Sequence, residues 1–339
     1  MFIIIIAWYF RLKIKNLCVD VEKMEGIPLK KENKIKNKSI LIFGGTGHYG
    51  RHIVRKLLDK KEKVRILSRN METAKIILGD AVEIIEGDVT SRNVIIRCLR
   101  NVKAIVISLS AMSSKLIKKM KQIERDAILI IMDEAKKSNI PRLVYVSGYD
   151  IRRDFLEKFK IMKFGEIKLE IEKKIASSDF NSTILGGSPS FELFFVFLRG
   201  NKMAVPGGGL NPIPTISAED VGEITAQTVI RNDLNGKRIR LTGPEALSMP
   251  LAAKKISDIT NNRIKHIKIP LFLIKIISII IYPFNPFLRF IYWSLLMFNN
   301  FPSDLAEKVP EDHQFLLNTF SYTPVTFEME IKRRFQKTS

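Results

Sequence analysis

The stretch at positions 40–50 constrains the fold more than any other part of the chain. It reads Ile-Leu-Ile-Phe-Gly-Gly-Thr-Gly-His-Tyr-Gly: a short apolar strand, a glycine turn and the beginning of a helix. Gly45, Gly47 and Gly50 satisfy the pattern G-x-G-x-x-G. In this pattern one glycine permits a tight turn, one lets the backbone approach a pyrophosphate, and one lets the helix pack close to the strand. The free N–H groups at the start of that helix would face an anion.

The pattern alone also fits a glycine-rich turn that binds no ligand. The surrounding sequence therefore has to distinguish between a dinucleotide-binding turn and a turn without a ligand. From Ser39 onwards, apolar strands alternate with helices of amphipathic spacing. This alternation predicts a Rossmann-like, doubly wound parallel sheet with right-handed crossovers. The predicted strands lie at 40–43, 63–67, 82–85, 104–109, 142–146 and 182–185, and the predicted helices at 51–60, 72–78, 93–99, 115–137 and 155–175.

The glycine turn follows the first strand of this series, which is the position that a dinucleotide-binding turn requires. The sequence therefore predicts a dinucleotide site in the turn, formed by Gly44, Gly45, Thr46, Gly47, His48, Tyr49 and Gly50. We expect three segments: an apolar N-terminus with a charged lead-in at 1–38, the Rossmann domain at 39–190, and a smaller, mainly helical C-terminal substrate region at 191–339.

The ends of the second and third strands indicate which dinucleotide is bound. NAD sites place an acidic residue at the end of the second strand, where it binds the ribose hydroxyls. Here that strand ends in Ser68 and Arg69, which suit a 2′-phosphate, so the sequence favours NADP with NAD as the alternative. Asp88 and Val89 follow the third strand, and Asp88 is placed to accept from the adenine amino group. A carboxylate at a helix N-terminus is the structural alternative for Asp88.

The chain carries a net charge of +21 in 339 residues. Nucleic acid, an anionic membrane or an anionic cofactor can each account for an excess of cations, as can a Lys-rich surface without function. No nucleic-acid-binding motif is present, and we expect no nucleic-acid partner. Two cysteines, Cys18 and Cys98, form no disulfide framework, which favours a reducing compartment such as the cytoplasm. His48 and His52 lack the glutamate of a zinc motif, so no metal site is expected.

The first ten residues, MFIIIIAWYF, are apolar and are followed by basic residues. This run is shorter than the about 20 residues needed to cross a bilayer, and no small-residue cleavage site follows it. Two interpretations remain: a weak interfacial anchor, or sequence upstream of a true start at Met24.

Together these motifs resemble an atypical short-chain dehydrogenase/reductase of the NmrA-like, NAD(P)H-binding branch, related to NAD-dependent epimerases and dehydratases. The resemblance covers Ser39 to about Pro270. Besides the motifs already named, it rests on Leu-Val-Tyr-Val-Ser-Gly at 143–148, Ser-Thr-Ile-Leu at 182–185, Ile-Ser-Ala-Glu-Asp-Val at 216–221 and Leu-Thr-Gly-Pro-Glu-Ala-Leu-Ser at 241–248. Such proteins include reductases, epimerase-like enzymes, regulators that bind the cofactor without turnover, and accessory subunits of respiratory complexes.

The resemblance implies catalytic roles for Lys168 and Ser147. Catalytic relatives use Tyr-x-x-x-Lys, in which the lysine holds ribose and lowers the pKa of the tyrosine. Lys168 matches the lysine, and Ser147 matches the helper serine at the end of the fifth strand, but Phe164 stands where the tyrosine is expected. Tyr149 is an alternative phenol, although a rim aromatic without catalytic function is the favoured interpretation. The Gly-Gly-Ser-Pro sequence at 186–189 replaces an Arg-Pro usual in relatives.

The segment 271–298 is strongly apolar but is interrupted by Pro283 and Pro286, so each half is too short to span a bilayer. Its two halves can pack on the substrate region and line an apolar pocket. Alternatively they can lie in a membrane interface, with Tyr282, Tyr292 and Trp293 at headgroup depth.

Two functional hypotheses follow. The first is an NADPH-dependent reductase of an apolar or quinone-like small molecule, for which solvent supplies the proton that Phe164 cannot. The second is a non-catalytic dinucleotide-sensing or assembly protein. The sequence leaves the oligomeric state open.

Overall fold

A computed structural model describes residues 38–158, 162–281 and 285–336 of the chain. The predictions for the N-terminal segment, including its apolar run, Cys18 and Met24, fall outside the described residues.

The described residues contain a seven-stranded, wholly parallel sheet, a three-stranded sheet and a two-stranded antiparallel sheet. In chain order the strands are β1 (Ser39–Phe43), β2 (Val64–Ser68), β3 (Glu83–Glu86), β4 (Val102–Ile107), β5 (Arg142–Gly148), β6 (Asn181–Gly187), β7 (Leu198–Arg199), β8 (Lys202–Pro206), β9 (Ile213–Pro214), β10 (Arg238–Leu241), β11 (Ala246–Leu247) and β12 (Lys265–Ile269).

The helices flank these sheets. They are α1 (Gly50–Asp59), α2 (Met71–Leu78), α3 (Arg92–Cys98), α4 (Ala127–Lys137), α5 (Arg153–Lys158), α6 (Met162–Ala176), α7 (Glu192–Val196), α8 (Ala218–Ile230), α9 (Met249–Thr260), α10 (Leu271–Ile281), α11 (Pro286–Asn299), α12 (Ser303–Glu307), α13 (Val309–Thr319) and α14 (Phe327–Gln336).

The large sheet has the strand order β3-β2-β1-β4-β5-β6-β10, which confirms the predicted Rossmann-like fold. Successive residues of a strand point to opposite faces, so each central strand contributes to two apolar layers. Ile40 and Ile42 of β1 pack under α1 and α8, whereas Leu41 and Phe43 pack under the helices of the opposite face. This burial on both faces explains why the strands are almost continuously apolar.

The six predicted strands are present within about two residues of their expected bounds. Two predicted helices differ from the structure. The helix predicted at 115–137 is helical from Ile117 onwards, but a 3-10 turn at Ile117–Lys119 and a π-helical turn at Gln122–Asp126 precede α4. The helix predicted at 155–175 is described as α5 and α6, with 159–161 outside the described residues.

The sheet takes its seventh strand, β10, from beyond position 190, where the sequence suggests a division between domains. That division stays a prediction. Another part of the C-terminal region builds a separate apolar core from α7, α9 and α14, in which Phe327 contacts Phe191, Phe194 and Phe195.

The apolar segment 271–298 forms α10 and α11, which pack against each other through Ile274, Tyr292 and Leu295. None of the described helices is long and apolar enough to cross a membrane. Tyr282 and Pro283 lie outside the described residues.

Candidate functional site

The carboxyl ends of β1 to β6 open into one cleft of about 1030 Å³. The strand order reverses between β1 and β4, and ligands of open α/β sheets bind at such a point. The cleft brings together most of the predicted site residues: Gly44, Thr46, Gly47, His48, Tyr49, Ser68, Arg69, Asp88, Val89, Ser147 and Lys168. Gly45 and Gly50 do not line the cleft: Gly45 lies against the Ile66 side chain and Gly50 against the Gly44 backbone.

The glycine turn is shaped by close backbone contacts. Gly44 has a φ of +90°, and a Cβ at this position would lie 2.3 Å from the carbonyl oxygen of Ser108. The residue with the left-handed conformation is therefore Gly44, which precedes the three glycines of the motif. A Cβ on Gly50 would lie 2.0 Å from the Gly44 oxygen, so only glycine lets α1 begin this close to the turn.

His48 and Tyr49 connect the turn to the segment that follows β6. The Tyr49 hydroxyl donates to the Ser188 carbonyl oxygen at 2.7 Å, and His48 Nε2 lies 2.8 Å from Ser190 Oγ. Burial lowers the pKa of His48, and the neighbouring Glu192 opposes this effect. Both side chains are therefore engaged by protein groups.

At the end of β2, the Ser68 hydroxyl donates to the Asn70 carbonyl oxygen at 2.9 Å and is almost completely buried. Arg69 is exposed and lines the cleft, with no ion pair in the described part of the chain. Lys119 lines the cleft as well. The guanidinium of Arg69 is thus available to an anion, whereas Ser68 is already bound to its own turn.

Asp88, at the end of β3, caps the turn that follows it. Its Oδ1 accepts hydrogen bonds from the Thr90 N–H at 2.9 Å and from the Thr90 hydroxyl at 2.7 Å. These bonds, the backbone bond first, lower the pKa of Asp88, and the charges of Arg69 and Lys119 act in the same direction. Asp88 therefore holds the turn that precedes α3, whose N-cap residue is Ser91, and the ionised carboxylate still lines the cleft.

Lys168 lies in a buried cluster that sequence reasoning missed. Its Nζ is 3.0 Å from Glu124 Oε2, and the Lys168 and Glu124 side chains are 13% and 2% exposed. The Tyr145 ring lies beneath the ammonium, at 5.9 Å from Nζ to the ring centroid. Burial opposes the charge of Lys168, but Tyr145 and Glu124 together raise the pKa of Lys168 above its usual value.

The π-helical turn explains how Glu124 reaches this position. Such a turn inserts one residue into the helix and changes the direction of its side chains, and it occurs often at functional sites. Here it buries Glu124, whose Oε1 also accepts from the Ala111 N–H. The π-helical turn thus interrupts the α-helical geometry of the stretch predicted as a helix at 115–137.

Two serine hydroxyls of the cleft have no hydrogen-bond partner among the described residues. They belong to Ser147, at the end of β5, and Ser188, just after β6. The two residues are 7% and 1% exposed. Because buried hydroxyls are normally satisfied, both are candidates for binding a ligand in the cleft. Ser147 was predicted; Ser188 was not, although it stands in the segment at 186–189 that departs from the relatives.

Tyr149 also lines the cleft, but its hydroxyl donates to Asp312 Oδ2 at 2.8 Å. Burial raises the pKa of Tyr149, and the bond to Asp312 adds to the shift. Both effects hold the proton on the phenol, which favours the interpretation of Tyr149 as a rim aromatic. Phe164 lies one turn before Lys168 on α6, and its side chain is outside the described residues.

The part of the cleft beyond the sheet is apolar. It is walled mainly by α11 and by the segments around α7 and β9, through Leu193, Val196, Phe197, Ile213, Pro214, Phe287, Phe290, Ile291, Leu295, Met297, Phe298 and Phe301. One half of the segment 271–298 thus packs and lines a pocket, as one of its two interpretations expects.

Comparison with known proteins identifies a family model and relatives that are similar to this chain. The model of the NmrA-like family matches residues 36–323. The photosystem II assembly factor Ycf39 of Trieres chinensis is 25% identical over 244 residues, which cover 71% of this chain and 75% of that protein.

Two solved structures have the same fold. Triphenylmethane reductase of Citrobacter sp., complexed with NADP(H), superposes with a TM-score of 0.68 at 16% identity, covering 87% of this chain and 99% of that one. The NADPH-dependent quinone oxidoreductase QOR2 of Escherichia coli, complexed with NADPH, gives a TM-score of 0.65 at 16% identity with the same two coverages.

Proposed function

The chain belongs to the NmrA-like family, and on that premise we propose that it is an NADPH-dependent reductase of an apolar, quinone-like small molecule. The observation that carries the proposal is the shape of the cleft. A polar half, built from the glycine turn and the strand ends, continues into an apolar half walled by α11.

The residues of the polar half of the cleft fit a dinucleotide that carries a 2′-phosphate, such as NADPH. Gly44, Thr46 and Gly47 line the cleft just before the start of α1, where N–H groups favour a pyrophosphate. Arg69 is exposed, has no ion pair among the described residues, and can bind a 2′-phosphate through two parallel hydrogen bonds. Asp88 is ionised and can accept from an adenine amino group. Structural neighbours that bind NADP(H) or NADPH support this assignment.

The proposed reaction takes place at the end of the cleft that is lined by Ser147, Ser188 and Lys168. Bound NADPH supplies the hydride, as in other nicotinamide enzymes. Lys168 would donate to the ribose hydroxyls, while the free hydroxyls of Ser147 and Ser188 would donate to the carboxamide or to a substrate oxygen. Because Phe164 offers no proton and Tyr149 is bound to Asp312, the proton comes from solvent. A quinone tolerates this, since its reduced oxygens are weakly basic and exchange protons readily.

The test is oxidation of NADPH, followed by its absorbance, with a panel of benzoquinones, naphthoquinones and apolar ketones. Multiple turnovers with at least one quinone are expected, with Lys168→Met and Ser147→Ala slowing them at least tenfold. Arg55→Ala, an exposed substitution on α1 outside the cleft, is the matched control. If no compound of the panel oxidises NADPH, the reductase proposal fails.

A second candidate function is a non-catalytic assembly or sensing protein that holds the dinucleotide structurally. Phe164 favours it, because the usual proton donor is missing, and the Ycf39 relatives are assembly factors. This role predicts tight NADPH binding without turnover and a protein partner whose binding depends on the dinucleotide. Several turnovers that are abolished by Lys168→Ala would exclude it.

A further inference from the structure

The outer face of α10 is formed by Phe272, Leu273, Ile276, Ile279 and Ile280. We propose that this face docks the protein on the surface of an anionic lipid bilayer. The proposal concerns where the protein acts and is independent of the reaction in the cleft.

The first support is the exposure of these five side chains, which is 59%, 42%, 50%, 61% and 66% in the order given. At 100° per residue their positions fall within one arc of about 120° of the helix surface. The opposite side of α10 is packed: Ile274 and Ser278 are 7% and 2% exposed, and Ile274 packs with residues of α11. A contiguous, exposed apolar face usually marks an interaction site.

The second support is the charge of the stretch of sequence that contains this face. From Ile259 to Ser303 the sequence contains five cations and no Asp or Glu; the cations are Arg263, Lys265, Lys268, Lys275 and Arg289. The first four are exposed in the structure, on α10 itself or on and beside β12. Cations beside an apolar helix face are the combination that binds anionic lipid, because the charges attract headgroups while the apolar side chains enter the acyl boundary.

The geometry favours a bilayer over a second copy of the chain. A symmetric dimer through this face would bring the same set of cations together and repel itself. The length of α10 is about 16 Å at 1.5 Å per residue, much less than the hydrocarbon thickness of about 30 Å, so the helix would lie in the interface without crossing it.

The experiment is co-sedimentation of the full chain with vesicles of phosphatidylcholine, with or without 30% phosphatidylglycerol, at low and high salt. We expect binding to the anionic vesicles at low salt, at least tenfold weaker binding to neutral vesicles, and release by high salt. Ile279→Glu should reduce binding at least tenfold. The matched control is Ile76→Glu on α2, because Ile76 and Ile279 are both 61% exposed; it should change binding less than twofold.

A second variant separates the charge contribution from the apolar one. Lys265→Glu combined with Lys268→Glu should abolish the preference for anionic vesicles, with far-ultraviolet circular dichroism confirming the fold of every variant. The proposal is overturned if the protein stays in the supernatant, or if Ile279→Glu binds as well as Ile76→Glu. It is equally overturned if binding is lost only when the apolar run at 1–10 is changed. If the protein is a dimer that does not bind vesicles and that Ile279→Glu converts to a monomer, the face binds a second copy of the chain instead.

Discussion

The ammonium of Lys168 lies 3.0 Å from the carboxylate of Glu124, and both side chains are largely buried. The pair joins α6 to the π-helical turn and fixes the lysine at the wall of the cleft. Removing one member of a buried ion pair leaves the other charge without compensation, which is far more costly than removing both.

Glu124→Leu alone and Lys168→Met alone are therefore each expected to lower the free energy of unfolding by about 3–5 kcal/mol. The double variant Glu124→Leu with Lys168→Met should recover most of this loss, because no buried charge remains. Urea denaturation of the two single variants and the double variant measures the coupling between the residues. If the loss in the free energy of unfolding of the double variant equals the sum of the losses of the two single variants, the two residues are not energetically coupled.

Arg69→Ala should weaken NADPH binding roughly tenfold or more and leave NADH binding unchanged, since a charge-assisted hydrogen bond contributes about 1.5–3 kcal/mol. Fluorescence titration with the two dinucleotides measures the ratio. The preference for NADPH should also fall with increasing salt, because Arg69 is exposed. An unchanged ratio of affinities would mean that another residue selects the phosphate.

Tyr149→Phe removes the hydrogen bond to Asp312 and should cost about 1 kcal/mol of stability. If Tyr149 is a rim aromatic, kcat for the best quinone stays within a factor of about two, because the proton in the reaction does not come from this phenol. A general acid contributes about 10²–10⁴-fold to a rate. A loss of that size, with substrate affinity preserved, would identify Tyr149 as the proton donor.

His52 gives a pH dependence with a defined sign. Burial, assisted by the charge of Arg51, lowers the pKa of His52 from the usual 6.5 to about 4. Below pH 6.5 the unfolded chain binds a proton that the folded chain refuses, so this residue destabilises the fold as the pH falls from 6.5 towards 4. When the pH is lowered from 7 to 5, the free energy of unfolding of His52→Gln should therefore rise by about 2 kcal/mol relative to that of the parent protein.

Urea denaturation of both proteins at pH 7, 6 and 5 checks this difference. Asp220 acts in the opposite direction, because burial raises its pKa to about 7 and the folded chain takes up that proton first. Since Asp220 is present in both proteins, its effect cancels in the comparison. Parallel curves for the parent and His52→Gln would contradict the assignment.

Local patterns in the sequence predicted most of the sheet and one side of the cleft. Apolar runs such as 40–43 and 142–146 locate buried strands, and parallel strands have their carboxyl ends at one edge of the sheet, so Arg69, Asp88 and Ser147 line the same cleft. The conformation at Gly44 was not predicted, because the motif identifies a glycine-rich turn without saying which residue turns left-handed.

Other features depend on contacts between distant parts of the chain. Glu124 stands among lysines and isoleucines in a stretch with helical periodicity, and nothing local distinguishes it from a solvent-exposed glutamate until α6 brings Lys168 to it. Likewise, the sequence analysis does not predict β10, the strand at the edge of the sheet, because two of its four residues are arginines. Arg238 is accommodated because it bonds Glu172 and the carbonyl oxygens of Gly148 and Tyr149.

The position of β10 has a consequence for how the chain acquires its fold. This strand pairs with β6 across roughly fifty residues, and such non-local pairing is slow. During synthesis the backbone edge of β6 stays open until residue 241 has left the ribosome, and an open edge can pair with the wrong strand. Release of residues 238–241 therefore ends the period in which the edge of β6 can pair with a strand of another chain.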